Sequence, residues 1–392
     1  MKWVTSLLGS CFLLSVLAGC KGGGSNTTNT STSNGGGGSN GSSSQLPAGT
    51  ELLYVGDNIG VIHGFGVDPG SGKLTPLASV PVTKQAGAAD VGLAADAGGK
   101  VLYATSAGVG GPNVASFIVE GTTGTLTLSS SLELPVPPRR LAAIEANLYV
   151  IPDPSANAAQ MFAFSINGLT AALTQLSPTV KLPAPPHDLA IAGFGNNIPS
   201  WMGLTFDGAS GGDIQGIVRQ PNGGATGLQL GSPSSTGGTS PQAIRVTPDG
   251  KFVIVANQGT SNVSVFSLNA STGVLAAVPG SPFTSGSAPG PVAIDPSGKF
   301  IFVGDTGGNS LSAYTIDSAG SLTPIPGTPI PLGDNAQPSS IAVDPAGRFV
   351  YVSIASQELA GFALDPSTGV LTPITGLPSS VGAATRDIVF VP

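Results

Sequence analysis

Three side chains that can carry positive charge, Arg139, His187 and Arg386, fall at equivalent places in a repeated unit, and Gln242 occupies the same place in another copy. If the fold brings these places together, two guanidinium groups can clamp a carboxylate or phosphate through charge-assisted, bidentate hydrogen bonds. His187 beside them is a candidate general base for activating water, and Gln242 joins the arginines as a substrate-binding residue. The chemistry expected is therefore binding, or hydrolysis, of a small anionic molecule. Asp188 and Asp387 each follow a member of the set. The alternative is thus that these carboxylates pair with the cations and simply close the site.

The elements that position these residues emerge from internal similarity. The segments Pro241–Asn257, Pro289–Asp305 and Pro338–Ile354 align almost without gaps, with starts 48 and 49 residues apart. In the last copy, Ile341-Ala342-Val343 reads as a first strand, closed by the turn Asp344-Pro345-Ala346-Gly347. Phe349 to Val352 and Leu359 to Leu364 read as the second and third strands. Beyond Asp365-Pro366-Ser367-Thr368-Gly369, the stretch Val370 to Ile374 reads as a fourth strand whose proline suits an outer edge.

Four antiparallel strands per repeat of this length make a propeller blade. Weaker copies begin near Val91, Pro138 and Pro186, and the first copy, from Glu51, lacks strand one. The missing strand is Arg386 to Phe390, and its pairing with Leu52 to Val55 would close the ring without an exposed edge. The expected fold is an all-β, seven-bladed β-propeller over 46–392. In it the first-strand entrances Val91, Arg139, His187, Gln242, Gly290, Ser339 and Arg386 converge on the axis.

Phe252 to Asn257, Asn262 to Phe266 and Ser271 to Leu275, followed by Pro279 to Phe283, resemble the lactonase family of seven-bladed propellers. That family includes cycloisomerase-type 6-phosphogluconolactonases and is similar to the YVTN-repeat surface propellers. The resemblance spans the chain beyond residue 45. It implies a cluster of His, Arg and Glu at the channel mouth, and Pro186-His187-Asp188 and Pro138-Arg139-Arg140 resemble the segments that carry it. The Glu implied at a second-strand end has no counterpart in Val255-Ala256-Asn257-Gln258. These repeats specify a fold and not an activity.

Residues 1–19 read as an export signal, because the apolar stretch Leu7 to Leu17 is shorter than the roughly 20 residues that span a bilayer. The stretch ends in Leu17-Ala18-Gly19-Cys20, which resembles the bacterial lipobox and implies lipidation of Cys20. Lys21 then favours outer-membrane sorting. Residues 20–45 are Gly, Ser, Asn and Thr almost throughout and cannot bury apolar area, so they read as a flexible stalk.

Charged residues make up 9% of the chain, with net charge -7, which excludes the basic footprint of a nucleic-acid binder. With two His and two Cys, a zinc site of the usual kind is not expected, and neither is any cofactor. His63 reads as a satisfied or surface histidine, and Asp305 to Asn309 as a hairpin turn rather than a calcium loop. The leading expectation is a monomeric, lipid-anchored envelope platform binding a small anionic ligand or an envelope protein, with little or no catalysis. Its partner surface would be the irregular stretches Gly108 to Asn113 and Ala192 to Gly211. The alternative is a lactonase acting on a sugar or carboxylated lactone at the channel mouth.

Overall fold

The computed structural model describes residues 45–82, 90–107, 111–176, 179–192, 201–208, 211–219, 225–228 and 233–392. Cys20, the signal segment and the stalk up to residue 44 lie outside them, as do 108–110, 193–200 and 209–210 of the two stretches expected to be irregular, but Trp201–Gly208 forms a regular, largely buried strand rather than an exposed insertion.

Short runs of Val, Ile, Phe and Tyr separated by Gly, Pro, Asp and Asn form seven antiparallel sheets. In the last blade the strands are Pro338–Val343, Phe349–Ile354, Glu358–Leu364 and Leu371–Pro373. The first turn closes because the Asp344 carboxylate accepts from the Arg348 and Phe349 amides. Asp295 does the same for Lys299 and Phe300 at 2.8 and 2.7 Å. Asp96 repeats it for Lys100 and Val101 at 2.7 and 2.6 Å. These aspartates recur because each satisfies two turn amides at once.

Six sheets carry a further two-residue strand, such as Ser379–Ser380, which pairs with the third strand beyond a break in the outer one. Five of these breaks contain proline, which cannot donate to the ladder, and in the first blade Pro76 ends the outer strand just before the break. Blade 2 has none there, and its outer strand Thr125–Glu133 runs unbroken.

The ring closes as expected: Thr385–Val391 pairs with Glu51–Asp57, placing Val391 opposite Leu52 and Ile388 opposite Val55. The inner strands of successive blades touch all the way round. The described residues bury seven apolar clusters, one between each pair of neighbouring blades, such as Phe302 with Val352 and Tyr54 with Phe117. Each such aromatic contributes about 1.5–3 kcal/mol by burial.

At two of these contacts a tyrosine hydroxyl also reaches the next blade. Tyr351 donates to the Gly72 carbonyl at 2.5 Å and Tyr54 to the Gly124 carbonyl at 2.8 Å. Gly72 has φ +67°, and a Cβ there would lie 2.6 Å from the Phe349 ring, so only glycine fits.

Candidate functional site at the channel mouth

The inner strands are irregular where they enter the channel. In blade 1 the register passes from Gly56 opposite Asp387 to Asp57 opposite Thr385, which leaves Arg386 unpaired on the strand. Blade 3 passes from Ile151 opposite Arg140 to Pro152 opposite Pro138 and leaves Arg139. Gln242 and Ser339 are left in the same way, and Gly290 with Pro291 in blade 6. A bulge bends the strand and re-aims the extra side chain. All of these residues line one cavity of about 340 Å³.

The chain has six arginines, and four of them, Arg139, Arg140, Arg245 and Arg386, line this cavity. Three are compensated. Arg140 lies 3.4 Å from Asp387, Arg245 2.6 Å from Asp188 and Arg386 2.8 Å from Asp90. Burial works against the Arg140 charge, but Asp387 and Asp188 outweigh it and hold its pKa up.

Arg139 differs, because its side chain makes no hydrogen bond or ion pair among the described residues. Burial and then the neighbouring Arg140 charge push its pKa below the ordinary guanidinium value, against the pull of Asp153, Asp188 and Asp90. A guanidinium stays protonated under these conditions. Among the described residues the cavity therefore holds one positive group whose hydrogen-bonding capacity is unused. Around it stand the carboxamides of Gln242, Gln258 and Gln337 and the hydroxyls of Thr306 and Ser339.

Asp188 and Asp387 do not pair with Arg139, His187 or Arg386. They sit one layer deeper and brace the ring. Asp188 accepts from the Ile244 amide and Asp387 from the Leu93 amide, each at 3.0 Å and each on the following blade. With Arg140, Arg245 and Ser340 they form a floor. Beyond it a second space of about 630 Å³ is lined mainly by aliphatic residues such as Leu141, Ile191 and Val292.

His187 falls outside the lining of the cavity. Its strand, Asp188–Ala192, stays in register, with Asp188 opposite Thr205, so no bulge turns the imidazole toward the axis. Its Nε2 lies 3.3 Å from Asp207 and its Nδ1 3.5 Å from the Gln242 carboxamide nitrogen. These partners assign the Nε2–H tautomer and place Gln242 between the imidazole and the cavity. His63 is held by Asp57 at 2.8 Å and Ser79 at 3.1 Å on blade 1.

The sequence reading missed two lining carboxylates, Asp90 and Asp153. Asp153 follows the second strand of blade 3, Asn147–Pro152, and accepts from the Ser155 amide at 2.8 Å through Oδ1. A search for an acidic residue at second-strand ends in every blade, rather than only at Asn257, would have found it.

The family model described as "Lactonase, 7-bladed beta-propeller" matches residues 222–282 and 276–386. No curated protein matches the chain. Among solved structures, a Bacteroides fragilis protein named as a candidate 6-phosphogluconolactonase is similar at TM-score 0.69 and 19% identity, over 88% of this chain and 99% of that one. A Bacteroides uniformis protein named in the same way gives TM-score 0.71 at 15% identity, over 87% and 99%. The periplasmic gluconolactonase of Pseudomonas aeruginosa gives 0.67 at 17%, over 88% and 99%. At these identities the structural likeness speaks for the fold.

Proposed function

We propose that this chain, a lactonase-like seven-bladed β-propeller, binds a small hydroxyl-rich carboxylate or the corresponding lactone in the arginine-lined cavity, with little or no turnover. The observation that carries the reading is Arg139, a guanidinium with no partner among the described residues, in a cavity where the three other arginines of the described lining have carboxylate partners. A ligand carboxylate supplies the bidentate partner that the fold withholds. The surrounding carboxamides and hydroxyls suit a polyol, and about 340 Å³ suits a six-carbon acid. Leu17-Ala18-Gly19-Cys20 supports display of the propeller at the cell envelope through a lipid on Cys20. A Cys20→Ser chain should then leave the membrane fraction, whereas unchanged fractionation would reject the anchor.

Lactone hydrolysis is the second reading, and Asp153 favours it. Its Oδ2 has no partner among the described residues and the side chain shares the cavity with Arg139. In that reaction Asp153 takes a proton from water as the oxygen attacks the lactone carbonyl. Arg139 stabilises the developing oxyanion, and the ring C–O bond breaks as Asp153 returns its proton to the ring oxygen, leaving a hydroxyl and the free carboxylic acid.

One screen separates the two readings: aldonate binding and aldonolactone hydrolysis by the full chain, alongside Asp153→Asn and His187→Ala. Binding without turnover supports the platform. Turnover lost in Asp153→Asn but kept in His187→Ala establishes the hydrolase. Failure to bind any aldonate or lactone rejects both.

A further inference from the structure

Asp90 stands at the cavity with its carboxylate on Arg386, and both side chains are open to solvent, at 61% and 41% exposure. An ion pair so exposed contributes little to stability, yet it decides how much positive charge the cavity offers. The backbone holds Asp90 in place, because the next amide, that of Val91, donates to the Asp57 carbonyl at 3.0 Å.

We infer that Asp90 selects the charge of the ligand: by occupying Arg386 it leaves Arg139 as the single free guanidinium among the described residues of the cavity, so the cavity takes a polyhydroxylated monocarboxylate and turns away dianions such as aldarates and sugar phosphates. This rests on the anion-binding reading above. A second negative group reaching for Arg386 must displace Asp90 or lie beside it. Two like charges about 6 Å apart in a half-exposed site disfavour each other by about tenfold in affinity. Asp188 and Asp387 already hold the remaining two arginines, so no other guanidinium is available to a second carboxylate.

The test is calorimetric titration of the full chain with gluconate, a monoanion, and glucarate, a dianion of nearly the same shape. Wild type should prefer gluconate. Asp90→Asn should raise glucarate affinity by about tenfold relative to gluconate. In an Arg386→Ala background the same change should give a smaller gain than in wild type, since it still relieves the repulsion but frees no guanidinium for the second carboxylate. Thermal melts of each variant confirm that folding is retained.

An unmoved glucarate-to-gluconate ratio in Asp90→Asn, or a wild-type preference for glucarate, would overturn the inference. An Arg139→Ala chain that binds gluconate at wild-type strength would instead overturn the anion-binding reading, while the Asp90→Asn ratio continues to judge Asp90. Absence of binding to either acid by wild type would overturn both.

Discussion

Arg139→Ala should weaken gluconate binding by about 100-fold, the loss expected when a charged, bidentate hydrogen-bond donor is removed. The same substitution should change folding stability by no more than about 0.5 kcal/mol, because no described residue depends on this side chain. That separation is the signature of a binding group. Arg245→Ala would behave differently, since it leaves the Asp188 carboxylate without its cation in the channel floor. Arg139→Lys should recover part of the affinity, because an ammonium supplies the charge but not the planar fork. Calorimetric titration and urea unfolding of the three variants check both halves of the expectation.

Arg348→Ala is expected to cost about 2–3 kcal/mol of stability, below the full figure for a buried pair because the side chain is 35% exposed. Arg348 is the latch between the last blade and the first. It lies 2.9 Å from Asp344, 2.5 Å from Glu51 and 2.9 Å from the Pro69 carbonyl, and it stacks 5.4 Å from the centre of the Phe349 ring. Burial and then the Asp344 charge already hold the Glu51 carboxyl above its ordinary value, against the pull of Arg348.

Removing the cation leaves the Glu51 carboxylate facing Asp344 without its counter-charge, which raises the folded-state pKa of Glu51 further. A carboxyl whose folded pKa is raised is most favourable while protonated, and its contribution is lost as pH rises through that value. The deficit of Arg348→Ala should therefore be largest near pH 7 and shrink as pH falls toward the carboxylate range. Urea midpoints at pH 7 and pH 4.5 test this, and a deficit that does not depend on pH would reject the electrostatic account.

Much of the fold was legible because a blade repeats its turn chemistry. Asp344, Asp295 and Asp96 each cap the same turn, and the lone strand at Arg386 to Phe390 had one partner left to find. The outer strands were less legible. Where pairing resumes beyond a break is set by register against the third strand, and the pattern of the outer segment does not reveal it.

At the site, the alignment placed Arg139, Gln242 and Arg386 at one depth, and they share the cavity. It placed His187 there too, on the assumption that every inner strand enters alike. The difference is one residue of register: the arginines and Gln242 are bulged, and His187 is not. Bulges depend on cross-strand pairing, which aligned repeats do not report. Asp90 lay outside the strand positions being compared, and only its folding toward the axis reveals it, whereas Asp153 lay at a second-strand end that was not compared.

The most direct measurement is a crystal structure of the full chain with gluconate bound. The account predicts the ligand carboxylate within hydrogen-bonding distance of the Arg139 guanidinium, its hydroxyls toward Gln242 and Gln337, and Arg386 still on Asp90. Gluconate in the aliphatic space beyond the floor, or in the cavity with Arg139 untouched, would contradict it.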